Sequence, residues 1–135
     1  MIRYTVAYIV TAVIFLGIDF IWLSRTMSFY KQELGGLLAE KPDLSVAALF
    51  YTIYVAGILM FAIVPAERNG SWIWALLLGA ALGLVAYATY DLTNLATLKD
   101  WSAKVAIADI VWGTFLTAVS ALAGYAAMSL ISRNT

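Results

Sequence analysis

Cysteine and histidine are both absent from the 135 residues, which removes disulfides, thiolate chemistry, imidazole acid–base catalysis and the usual zinc ligand sets. Charge is scarce as well: charged residues make up 12% of the chain, eight basic against eight acidic. That balance offers neither a basic face for nucleic acid nor a solvating acidic tail, so no nucleic-acid partner is expected. Any chemistry must run on oxygen groups. What the chain has in abundance is apolar surface, with 64% hydrophobic residues and a mean hydropathy of +0.90. Those values lie outside the soluble range and place the chain in the membrane class, with lipids as its surroundings. The first apolar stretch has only Arg3 ahead of it, is interrupted by Asp19 and lacks a small-residue cleavage pattern. It therefore reads as a retained helix.

A membrane-spanning helix needs roughly 20 mostly apolar residues. Four windows of that size are bounded by charge or turn residues, at residues 4–24, 44–66, 71–98 and 103–131. They predict a single all-α domain, 1–135, built as a four-transmembrane-helix bundle. Pro42 and Asp43 open the second window, Pro65 closes it, and Glu67, Arg68, Asn69 and Gly70 form the turn into the third. Between the first two windows, Phe29, Tyr30, Leu34, Leu37 and Leu38 alternate with Lys31, Gln32, Glu33 and Glu40. This amphipathic segment either lies on the membrane surface or continues helix one beyond the lipid, bending at Gly35 and Gly36. Lysine and arginine are more numerous in the first and third loops than on the opposite side, which favours both termini outside.

Three windows each carry one aspartate. Asp19 lies six residues before Arg25, Asp91 eight before Lys99 and Asp109 five after Lys104, so all three carboxyls are expected on the order of 7–12 Å below one charged boundary. Asp19-Phe20-Ile21-Trp22 and Asp109-Ile110-Val111-Trp112 are both Asp-x-x-Trp. Spacing of three puts acid and indole on one helix face, where the ring excludes water and offers an N–H donor. Asp91 has Asn94 in that position. Tyr51 and Tyr54 of the second window fall near the same level and supply phenol donors. Stripes of small and polar residues face inward on helix four (Asp109, Gly113, Thr117, Ser120, Gly124) and helix three (Gly79, Gly83, Tyr87, Asp91, Asn94). Helix one contributes Tyr4, Tyr8, Thr11, Phe15, Asp19 and Trp22.

Ionisable groups inside a membrane cost roughly 2.5–3.5 kcal/mol on insertion scales and usually mark function. No lysine or arginine lies in the same stretches to offset them. A protonated aspartic acid can donate to an alkene or leaving group while an ionised partner takes a proton back. Asp19, Asp91 and Asp109 are thus candidate acid–base residues for a lipid-like or isoprenoid-like apolar substrate. Trp22, Tyr51, Tyr54, Tyr87, Tyr90, Asn94 and Trp112 are candidate substrate-binding residues, and the indole faces suit a developing cation. Two other readings stand beside this one. A proton-coupled transporter or ion pathway would need a homo-oligomer, since four spans are few; a binding or assembly subunit would use the aspartates only as interhelical glue. An oxygen-only set also suits a hard cation, but neither a paired Asp-x-x-Asp arrangement nor an EF-hand loop is present, and no metal or cofactor is expected.

The segments Asp19 to Leu23, Phe50 to Gly57, Tyr87 to Leu98 and Asp109 to Thr114, above all Tyr90-Asp91-Leu92-Thr93-Asn94-Leu95-Ala96-Thr97-Leu98, resemble DUF2177, a family of bacterial membrane proteins of unknown function. The resemblance covers nearly the whole chain. It implies a bacterial inner-membrane location and supplies no activity.

Overall fold

The computed structural model describes residues 1–134. Four helices are long and apolar enough to cross a membrane, the all-α arrangement expected from the windows. The first, α1 (Ile2–Leu34), has 33 residues and so extends about 50 Å at 1.5 Å per residue, well beyond a hydrocarbon core of about 30 Å. It does not end near Ser24. The amphipathic segment is its direct continuation, because Phe29, Tyr30 and Leu34 carry on the inward face begun by Asp19 and Trp22. It stops where expected: Gly35, at φ 43°, turns the chain and returns its N–H to the Lys31 carbonyl.

Helix α2 (Leu44–Arg68) is capped by Asp43, whose Oδ1 accepts the backbone N–H groups of Ser45 at 3.0 Å and Val46 at 3.2 Å. The Ser45 hydroxyl and these amides hold the exposed Asp43 carboxyl below the usual carboxylate range. Pro65 does not end this helix. It lacks an N–H and its ring crowds the carbonyl four residues back, and the helix absorbs both effects by widening into a π turn over Leu59–Ile63. There the Val64 N–H reaches the Leu59 carbonyl, five residues back. Helix α3 (Trp72–Thr97) follows a turn with Gly70 at φ 61°. Helix α4 (Ala103–Arg133) is capped by the Ser102 hydroxyl, which accepts from Val105 N–H at 3.3 Å.

Helix α4 is the most buried of the four, and α3 and α1 pack along it through small residues. A Cβ added at Gly83 would stand 2.4 Å from the Gly113 carbonyl oxygen, and one at Gly124 would stand 2.1 Å from Thr11 Oγ1. The predicted stripes are therefore the contact faces. Helices α1 and α4 run antiparallel in one continuous register: Arg3 meets Ser132, Trp22 meets Trp112 and Glu33 meets Ser102. Far from the aspartates, Arg3 Nη1 bonds Glu67 Oε1 at 3.3 Å and ties α1 to α2. Ile9, Val13, Phe20, Ile53, Phe61, Val85, Val111 and Phe115 are exposed and give the outer surface the apolar girdle that lipid requires.

Candidate functional site

Antiparallel packing of two Asp-x-x-Trp faces produces an exchange that spacing within one helix does not reveal. Trp112 of α4 donates its indole N–H to Asp19 Oδ1 of α1 at 3.1 Å. Trp22 of α1 donates to the Tyr30 hydroxyl at 3.2 Å, and that hydroxyl donates in turn to Asp109 Oδ1. Each carboxyl is thus served from the opposite helix, and neither takes the N–H of its own Asp-x-x-Trp partner. The two indoles stack between the acids, with ring centroids 4.4 Å apart and planes 7° from parallel. Tyr51 of α2 completes the holding of Asp19 by donating to Oδ2 at 2.8 Å. Both oxygens of Asp19 are occupied by donors, whereas Asp109 has a single donor, Tyr30, and the Asp91 carboxyl beside it.

The carboxyls do not lie at one level. On the α1–α4 register Asp109 faces the neighbourhood of Thr26, seven residues beyond Asp19 and so roughly 10 Å closer to the first-loop end. Long side chains span the offset, and Asp109 remains within electrostatic reach of both Asp19 and Asp91. It is the middle member of the three. Asp91, on α3, is fully buried, with the Asp109 carboxyl and the Trp101 indole as its polar neighbours and no hydroxyl or amide donor on either oxygen. The expected contact with Asn94 is not made; Asn94 lies by Tyr90, and the Thr93 hydroxyl turns back to the Thr89 and Tyr90 carbonyls. The buried indole N–H of Trp101 lies beside Asp91.

Asp19 and Asp109 open on one cavity of about 340 Å³, walled by the two indoles, Tyr30, Tyr51, Tyr87 and Tyr90. From Tyr87, Tyr90 and Asp109 a second hollow of about 340 Å³ continues between α2 and α3 along Phe50, Tyr54 and Ala86. The Tyr87 ring covers Gly113 so closely that a Cβ there would lie 2.1 Å from its Cγ, and its hydroxyl is in the electrostatic neighbourhood of Asp19, Asp109 and Tyr51. Tyr54 meets no aspartate. Its hydroxyl pairs with Thr117 Oγ1 at 2.8 Å, and its ring stacks on Phe50. Most of the candidate residues therefore surround one space, while Asp91 and Asn94 lie outside its lining.

The two ion pairs among the described residues, Arg3 with Glu67 and Lys104 with Glu33, leave these three aspartates without a cation. Nor do three acidic, histidine or cysteine groups converge there as a metal set. Sequence reasoning missed Tyr30, the donor to Asp109, because it lies past Arg25 in a segment that had been placed outside the bundle.

The family model described as "Predicted membrane protein (DUF2177)" matches residues 4–126. The chain belongs to the DUF2177 family. That stretch takes in all three aspartates, both stacked tryptophans and the donors Tyr30 and Tyr51. No curated protein and no solved structure matches the chain. This DUF2177 member is an integral membrane protein with four candidate spans, and its site has to be interpreted from its own geometry.

Proposed function

We propose that the protein acts in the bacterial inner membrane on a lipid-like apolar substrate, by acid–base chemistry centred on Asp109. The observation that carries this reading is the division of labour between the carboxyls that face the cavity. Asp19 has both oxygens taken by donors from α2 and α4, which suits a fixed electrostatic and positioning role. Asp109 has one oxygen held by Tyr30 and lines a cavity whose walls are mostly aromatic, with Asp91 beside it, which suits proton exchange with a bound molecule. Asp91 stands behind it as a second carboxyl with which a proton can be shared. The hollow between α2 and α3 supplies the apolar surface that a chain-bearing substrate needs. Lipid extracts from cells carrying the wild type, Asp109→Asn and Asp19→Asn test it. The expected result is an altered lipid profile with Asp109→Asn and a weaker alteration with Asp19→Asn; unchanged profiles for both would remove the basis of the proposal.

A second reading draws on Asp91. A fully buried carboxyl that lies outside the cavity and beside Asp109 also suits a proton path running from Asp19 through Asp109 to Asp91. In proteoliposomes, proton uptake that depends on Asp91 and on a co-transported solute, together with an oligomer sharing the aspartate face, would favour transport.

A further inference from the structure

Three carboxyls in one neighbourhood, with no lysine or arginine paired to any of them among the described residues, leave the site electrostatically incomplete. What would complete it is constrained by the walls. A metal ion needs several oxygen ligands converging within about 2.0–2.6 Å, whereas the oxygens of Asp19 are already engaged by Tyr51 and Trp112, and among the described residues no three acidic side chains come close enough together to hold one. The remaining surface consists, apart from Leu23, of aromatic side chains, and aromatic faces attract cations too weakly hydrated to resist leaving water. The cavity, about 340 Å³, falls within the size range of small-molecule sites. Behind Asp109, Asp91 adds a fully buried carboxyl beside it that can hold a proton in its place, which lets Asp109 face the space as a carboxylate.

Resting on the reading that this cavity is the substrate site, we propose that the group it takes is an organic ammonium, protonated or quaternary, held against Tyr87, Tyr90 and the outer face of one indole of the Trp22–Trp112 stack and faced by Asp19 and Asp109. The site has a direction. Tyr87, Tyr90 and Asp109 belong both to this cavity and to the apolar hollow along Phe50 and Tyr54. An alkyl chain attached to the ammonium nitrogen therefore has a path between α2 and α3 toward the lipid, and a free amine without a chain leaves that path empty.

The test compares three probes on the full-length protein in a neutral sugar-headgroup detergent, read by tryptophan fluorescence and thermal shift. They are hexyltrimethylammonium, its uncharged isostere in which carbon replaces the quaternary nitrogen, and tetramethylammonium. The expected result is at least tenfold tighter binding of hexyltrimethylammonium than of the isostere, with the preference lost in the Asp19→Asn, Asp109→Asn double variant. Tighter binding of the hexyl than of the tetramethyl ion assigns the ammonium to a lipid-borne source, and equal binding assigns it to a free amine. Equal binding of the isostere, or no binding of any probe by wild-type protein of unchanged helicity, overturns the proposal. The wild-type comparison does not depend on whether a variant folds. Absence of any ammonium preference in the wild type, with Asp109→Asn still altering cellular lipids, would overturn this inference alone, whereas ammonium binding with unaltered lipids would overturn the acid–base reading and leave the ammonium site standing.

Discussion

Gly83→Ala gives the most direct test of how the scaffold holds the site. The added Cβ would stand 2.4 Å from the Gly113 carbonyl oxygen and 2.8 Å from Thr117 Cβ and Oγ1. Ordinary contact begins near 3.5 Å, so α3 and α4 must separate locally by about 1 Å. The obstacle is backbone and a buried β-branched side chain, neither of which can swing aside. Overpacking of this kind costs about 1–3 kcal/mol, the expected loss for Gly83→Ala. The same substitution at Gly17, where nothing lies within 4 Å of the new Cβ, removes a flexible residue from a helix interior and should be neutral or stabilising by up to about 1 kcal/mol. Reversible unfolding of both variants in mixed micelles, followed by helicity, measures the difference. Because Gly113 lies under the Tyr87 ring, Gly83→Ala should also weaken binding in the adjoining cavity. If Gly83→Ala proves as stable as Gly17→Ala, the close approach of α3 and α4 is wrong, and with it the placement of the cavity wall.

Exchange of partners between the tryptophans predicts that Trp112→Phe removes a donor from Asp19, and Trp22→Phe a donor from Tyr30, each at about 0.6–2 kcal/mol for an interhelical contact; carboxylate infrared bands of Asp19 should move with Trp112→Phe and stay in place with Trp22→Phe. Tyr30→Phe should shift the Asp109 band while leaving helicity intact, and an unmoved band would refute the link between the helix-one extension and Asp109. Asp43 is held below the ordinary carboxylate range by Ser45 and the Val46 amide, so its capping contribution is fully present above its unfolded pKa of about 3.9 and is lost as pH falls through the lower folded value. Amide exchange at Ser45 and Val46 should accelerate across that acidic window in the wild type, and the Asp43→Ala variant should show no such step.

How far the site was legible depends on which relations a linear sequence carries. Charge-free windows and small-residue stripes report properties of single helices, and these located α2, α3, α4 and the contact faces. Pairing across helices is a different matter. The spacing of Asp19 to Trp22 and of Asp109 to Trp112 correctly placed acid and indole on one face, but antiparallel stacking of the two rings sends each N–H to the other helix's network. Depth was misjudged for a related reason. Counting inward from Arg25 assumed that the helix ended there, whereas it runs to Leu34, carrying Tyr30 into the bundle and setting Asp109 opposite the extension instead of opposite Asp19. The alternation of Phe29, Tyr30 and Leu34 with charged residues already held that signal, had it been read as the same face as Asp19 and Trp22 continued at helical spacing.

Asp91 separates function from stability most sharply. A buried polar atom that lacks an adequate hydrogen-bond partner costs about 1–3 kcal/mol, and Asp91 is a fully buried carboxyl set against a second carboxyl, Asp109, with no hydroxyl or amide donor on either oxygen. If the group served only to join helices, removing it would weaken the bundle. The geometry requires the opposite. Asp91→Leu replaces that carboxyl by an apolar group of comparable size, so the variant should unfold at higher denaturant than the wild type, by a margin on the order of 1 kcal/mol. Its effect on cellular lipids or on proton uptake should be lost at the same time. Such a trade is expected where a site retains a group that its fold would do better without. A variant less stable than the wild type would show that Asp91 holds the helices together, and would move it from the proton-handling groups to the scaffold.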